Sequence, residues 1–464
     1  MQDRRRRAVL IVGALIASVV GISVGSSIGN VPAANAAPLG AGGEYHPLTP
    51  TRIYDTRAPG IPAGTPGPTQ TSAAGVATDV TVLGQGGIPA QAANVLAVAV
   101  SITVISPTRE GYLQVYPTGA DAGTSSVLNF VAGQTVPNLS ILTVGNGGKL
   151  TYKIVTPTNG TADVIVDVFG WFSTSNYGTA GARMVPVSPG RLYYSREPSW
   201  NPTTQPLGLR QLIKIPIRGA DAQNPGVTDI VPNSPDVVGV VLNVTGINDN
   251  PGSGNTFVSV LPEDPSGAVT TSNLNLVAGQ IKANLVIVPV TNADGNIRIY
   301  NNNGATHVAV DVVGYMLRGA DPDSRLGRVI PLTSPFRAFD TREATFGNVA
   351  LGPTTSEPWS FKDFVNSVTL NGEAVGNQIA LIGNLTGTDL RRAVATVPVQ
   401  TFMTLYPTDA ASRPLSSNIN VVEGANVPNM VLVKLSADDS ITAYNHAGSI
   451  HYLLDISAVV LDNE

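Results

Sequence analysis

PTRIYDTR at residues 50–57 returns as PFRAFDTR at 335–342, and PGRLYYSR at 189–196 keeps both arginines with Tyr194 in the aspartate place. Only 13% of this chain is charged, so Arg-x-x-Asp-x-Arg written twice marks a repeated unit. The same events follow each copy in order. An apolar strand comes first: VLAVAVSITV (95–104), VVGVVLNVTG (237–246) and QIALIGNLTG (378–387). GYLQVYPTG (111–119), TFVSVLPED (256–264) and TFMTLYPTD (401–409) come next. SVLNFVAGQTVPNL (126–139), SNLNLVAGQIKANL (272–285) and SNINVVEGANVPNM (417–430) follow. The copies close with GTADVIVDVFGWF (160–172), GATHVAVDVVGYM (304–316) and GSIHYLLDISAVV (448–460). Pro50, Pro189 and Pro335 set steps of 139 and 146 residues, the size of whole domains rather than solenoid repeats.

Each unit holds about eight short apolar runs divided by Gly, Pro, Asn and Asp clusters. Gly 48 and Pro 35 are high, and Val, Ala and Thr favour strands over long helices. No amphipathic helix stands out beyond residue 40. The expectation is an all-β chain of three tandem antiparallel β-sandwich, jelly-roll-like domains at 46–175, 185–318 and 329–464. Residues 37–45 read as a flexible leader, and 173–184 and 317–328 as linkers. TVGNGGKLTY (143–152) and VTNADGNIRIY (290–300) read as hairpins, because Gly and Asn accept the positive φ of a tight turn.

The N-terminus gives the address. MQDRRRR, the apolar run AVLIVGALIASVVGISVG (8–25) and Ala34-Asn35-Ala36 read as a signal peptide over 1–36. An uncleaved anchor is the alternative, since 18 residues can just span a bilayer, and is the one route to membrane attachment. Either way the bulk is exported, to the extracellular space or the cell envelope. The formal charge is −5. Removing residues 1–36, which carry Asp3 against Arg4–Arg7, leaves −8. An acidic chain without a basic stripe excludes nucleic-acid binding. Cysteine is absent, so no disulfide staples the units. Mean hydropathy of +0.14 with linkers of about a dozen residues predicts modules packed together, as a pseudo-threefold cluster or a bent rod.

This layout resembles a family of secreted actinobacterial proteins. Their modules run P-x-R-[LI]-x-D-T-R, L-N-V-T, G-x-L-x-V-Y-P, S-N-L-N-F-x-x-G-Q-T-V-P-N-L and D-V-x-G-Y-F. The match spans Leu48 to Leu461 in three copies. It implies accessory parts of secreted and envelope-associated proteins, with no activity of their own specified. The departures are Tyr194 and the third ending, DISAVV, which lacks the Gly-aromatic pair.

Catalytic signatures fail on context. Gly21-Ile22-Ser23-Val24-Gly25, the one G-x-S-x-G, lies in the signal segment rather than on a strand-to-helix elbow. His46, His307, His446 and His451 supply no zinc spacing. No cofactor is expected. The nearest alternative is Ca2+ at the loops carrying Asp121, Glu263, Asp264 and Asp409, but each offers one or two carboxylates where calcium wants six to eight oxygens.

Asp167, Asp311 and Asp455 stand mid-strand among apolar residues, where an unpaired carboxylate would be costly. Arginine can hold a carboxylate with two parallel N–H bonds. The reading is a structural clasp in which the first strand lies beside the last. Its members are Arg52, Asp55, Arg57 and Asp167; Arg191, Arg196 and Asp311; and Arg337, Asp340, Arg342 and Asp455. Asn129, Asn138, Asn275, Asn284, Asn420 and Asn429 read as side chains satisfying loop backbone. The function expected is a non-enzymatic exported surface or envelope protein with a structural or adhesive role. Its partners would be envelope proteins, cell-wall glycan or further copies of itself. The alternative is a glycan-binding accessory protein, with Trp171, Trp200 and Tyr315 as candidate sugar platforms.

Overall fold

The computed structural model describes residues 42–57, 70–71, 76–174, 177–223, 226–319, 321, 324–367, 369–370, 373–374, 376–392 and 399–463. The signal segment and leader residues 37–41 lie outside them. In module 1, Tyr45–Asp55, Thr161–Ser173, Val95–Ile105 and Thr135–Thr143 make one antiparallel sheet. Ala77–Thr81, Lys149–Val155, Gly111–Pro117 and Leu128–Phe130 make the other. Counting eight principal strands along the module, the order is first-eighth-third-sixth over second-seventh-fourth-fifth, a jelly roll. Modules 2 and 3 repeat it strand for strand. Their first, eighth, third and sixth strands are Arg183–Tyr194, His307–Leu317, Val237–Asn248 and Gln280–Pro289, then Val329–Asp340, Ser449–Leu461, Gln378–Arg391 and Val427–Lys434. The fold is thus all-β, three sandwiches in tandem.

The two sheets of a module obey different sequence rules because they meet different surroundings. Val237–Asn248 is buried at every position, and Val95–Ile105 at all but the last. Such continuous apolar runs belong to a sheet covered on both faces. Gln211–Pro216 in the other sheet is mostly exposed or half-buried, with Ile215 turned into the core. The first kind is the inner sheet and the second the outer sheet.

What covers the inner sheets is each other. Every module keeps a core between its own sheets. A fourth core draws on all three, with Ala99, Leu139 and Phe169 of module 1, Val241, Leu285 and Met316 of module 2, and Ile382, Met430 and Val460 of module 3. The modules therefore form a pseudo-threefold cluster, one of the two packings expected. A closed ring of backbone bonds marks its axis. Tyr45 exchanges N–H···O bonds with Ala182 (2.8 Å each way), Met184 N donates to Gly327 O (2.8 Å), and Val329 exchanges bonds with Gly43 (2.8 and 3.0 Å).

Three expectations need correction. Gly42–Tyr45 are not flexible leader: Gly43 closes the ring, and the Glu44 carboxylate receives Arg183 Nε (2.8 Å), Gly181 N (2.8 Å) and Arg328 Nη2 (3.4 Å). The 143–152 and 290–300 segments turn as expected, with Gly147 and Gly295 at φ +66° and +67°. They are not hairpins, however, because each carries the chain from the inner to the outer sheet. Finally, a six-residue α-helix, Lys362–Ser367, sits between the second and third strands of module 3, too short to show a periodic stripe.

Candidate functional site

The clasp is built where the first strand lies beside the eighth, with Arg52 opposite Asp167, Arg191 opposite Asp311 and Arg337 opposite Asp455. A register shift follows each of these pairs, between Arg52 and Tyr54 and at the matching points of the other modules. Arg52 Nε and Nη2 reach the two oxygens of Asp167 at 3.0 and 3.4 Å. The same fork spans 2.6 and 3.1 Å from Arg191 to Asp311 and 2.5 and 3.1 Å from Arg337 to Asp455. Each carboxylate is buried.

The second half of the motif folds back on itself. Asp55 takes Arg57 Nε (3.1 Å), Nη2 (3.0 Å) and backbone N (3.0 Å), and also Arg52 Nη1 (3.2 Å). Asp340 takes Arg342 and Arg337 in the same way. Burial opposes the Asp55 charge, yet the Arg57 bonds outweigh it and hold the carboxyl below its usual range. Asp340 is lowered for the same reasons. At Asp167 burial wins over Arg52, and the carboxyl lies above its usual range.

Module 2 shows how the aspartate is replaced. The Arg191 guanidinium lies 5.3 Å from the Tyr194 ring centroid and donates to Leu415 O of module 3 at 2.8 Å. Arg196 turns to Asp249, with both oxygens at 2.7 Å. The missing carboxylate is thus exchanged for a ring, a neighbouring carbonyl and an exposed ion pair.

One motif residue escaped the sequence reading. The hydroxyls of Thr56, Ser195 and Thr341 accept the eighth-strand N–H of Val164, Val308 and Tyr452 at 2.9–3.0 Å. They also meet Asp163 (2.8 Å), His307 (3.0 Å) and His451 (3.1 Å). The Ser/Thr before the second arginine was the available signal.

Of the asparagines, Asn138, Asn284 and Asn429 donate to the carbonyls of Val127, Asn273 and Asn418 at 2.6–2.7 Å, the backbone role expected. Two also join modules. Asn138 Oδ1 accepts Met430 N (3.1 Å) and its Nδ2 donates to Asn384 (3.1 Å). Asn429 Oδ1 accepts Leu285 N (3.2 Å), with Nδ2 on Asn243 (3.4 Å). Module 1 carries Ser101 where the others carry Asn243 and Asn384 beside the clasp aspartate. Asn275 and Asn420 depart from expectation and meet the Ser272 and Ser417 hydroxyls, since their own strand backbone is already paired in the sheet. Asn129 is half-buried on the fifth strand opposite Tyr112. The first Asn of S-N-x-N was overlooked: Asn273 and Asn418 accept Val260 N (2.7 Å) and Leu405 N (2.6 Å).

Elsewhere, Asp264 is held by Arg298 at 2.8 and 3.2 Å, and Asp409 accepts Ala437 N at 3.0 Å. Among the described residues no three His, Asp or Glu side chains gather as metal ligands, and no helix is long and apolar enough to cross a membrane. Trp171 is 3% exposed under His46, stacked at 4.2 Å, and Tyr177, so it offers no open ring face. Tyr315 and Trp200 are half-buried.

No protein-family model and no curated protein matches the chain. Among solved structures, one from Sulfolobus Turreted Icosahedral Virus aligns over 83% of both chains at 9% identity and TM-score 0.15. An archaeal-virus structure described by its triple jelly roll fold and turret assembly covers 90% of both at 8% identity and TM-score 0.15. The CBM22-1-CBM22-2 tandem domain of Paenibacillus barcinonensis Xyn10C covers 58% of this chain and 98% of its own at 12% and 0.16. Values this low say nothing about ligand or role.

Proposed function

We propose that the chain is a non-enzymatic structural or adhesive protein of the cell surface or envelope, exported by its N-terminal segment. The observation that carries this reading is the use of the repeated charged motif. Arg52, Arg191 and Arg337 tie the first strand to the eighth through Asp167, Asp311 and Asp455, Asp55 and Asp340 hold Arg57 and Arg342, and Arg196 pairs with Asp249, so the motif's charges are taken up within the fold rather than turned to a substrate. A protein without disulfides that gains stability from inter-module packing suits a load-bearing surface role. Its partners would be other envelope proteins, cell-wall glycan or further copies of itself. The test is fractionation of producing cells together with binding to purified envelopes. The protein should be found outside the cytoplasm and sediment with the envelopes; a soluble cytoplasmic protein that ignores them contradicts the reading.

A further inference from the structure

The outer sheet of module 3 carries a row of rings that the clasp does not use. Phe402, on the fourth strand Gln400–Pro407, and Tyr444, on the seventh strand Ser440–Asn445, have ring centroids 6.1 Å apart. His446 is exposed and stacks on Phe402 at 4.6 Å, 17° from parallel. Its Nδ1 lies 3.5 Å from the Tyr444 hydroxyl. Met403 and Leu405 point into the module core, so strand alternation turns Phe402 to the opposite face, where it is half-buried, while Tyr444 beside it is buried. From the loop after the fourth strand, the Arg413 guanidinium lies 4.0 Å above the Tyr444 ring centroid. Arg413 Nη1 donates to Pro414 O at 3.2 Å, and among the described residues the guanidinium forms no ion pair.

The combination is particular to this module. Module 2 has the ring pair Phe257 and Tyr300 at 6.2 Å, but Asn302 takes the Tyr300 hydroxyl and no arginine stands in its loop at 262–273. Module 1 has Tyr112, with Lys153 where module 3 has Tyr444.

We propose that this row binds an acidic polysaccharide, one whose sugars carry a carboxylate or phosphate. Sugar C–H faces pack on rings such as half-buried Phe402 and exposed His446, and the His446 Nε2 suits a sugar hydroxyl. The Arg413 fork, held in place over Tyr444, takes the anionic group. A densely charged nucleic acid does not fit, because the chain is net acidic and the row offers one guanidinium. The site is independent of the structural role, since none of these side chains belongs to the clasp or to the shared core.

Calorimetric titration of the full chain with oligogalacturonate, a phosphorylated manno-oligosaccharide and a neutral cello-oligosaccharide tests it. At least one acidic oligomer should bind, and which one does identifies carboxylate or phosphate as the recognised group. Binding should weaken with added salt. Arg413→Gln and His446→Ala, with unchanged melting temperatures, should each lose tenfold or more in affinity. Failure of both acidic oligomers to bind, equal binding of the neutral one, or unaltered affinity of folded Arg413→Gln overturns the proposal.

Discussion

Asp311 and Asp167 hold the same place in two modules, yet their surroundings predict different costs of removal. The side chain of Arg191, partner of Asp311, is 11% exposed and has no second carboxylate at the motif position, where Tyr194 stands. Asp311→Ala therefore leaves a buried, uncompensated charge and should cost about 3–5 kcal/mol in denaturant unfolding. The Arg52 side chain is 22% exposed and keeps Asp55, so Asp167→Ala should cost less, about 1–3 kcal/mol. Lys282 predicts the opposite sign. Its Nζ is buried without a hydrogen-bond partner, at a position that is Val136 in module 1 and Val427 in module 3. Burial pushes its pKa down to about 8 from 10.5. Between these values the unfolded chain binds the extra proton, so stability should rise as pH goes from about 8 to 10.5. Lys282→Val should abolish that rise and stabilise the protein at pH 7 by about 3 kcal/mol. The sequence exposed the Arg–Asp partnership because a mid-strand carboxylate demands a cation. It hid Thr56 and Asn273, whose side chains look like ordinary turn and loop residues until the strand they bond is known.

At the scale of elements, the strands were legible because hydrophobic runs and turn residues alternate so regularly. Which sheet a strand joins was not, because Gly147 and Gly295 make the same tight turn whether the chain pairs with its neighbour or crosses to the other sheet. Gly42–Tyr45 were illegible for a different reason. A four-residue segment divided among the end of its own module's last strand and the starts of two other modules is too short to carry a period of its own. That segment nevertheless holds Arg183, whose other bonds run to Ser324 O and Leu326 O at 2.8 and 3.0 Å. Glu44→Ala should therefore cost about 2–3 kcal/mol, with Arg183 keeping its carbonyl acceptors. A chain that begins at His46 should melt at a lower temperature than one that begins at Gly42.

At the scale of the molecule, the third strands run almost continuously apolar because both faces of their sheets are covered, and the cover is the other two modules. Stability should then be shared. Leu285→Ala, in the common core, should cost about 2–5 kcal/mol and shift one transition that all three modules report. The central claim is that three sandwiches close around one core instead of standing in line. Small-angle scattering of the chain from Gly42 onward tests it most directly. The account predicts a radius of gyration of about 22 Å, the value for a single compact body of this length. A value well above that, with a maximum dimension of three modules end to end, would contradict it.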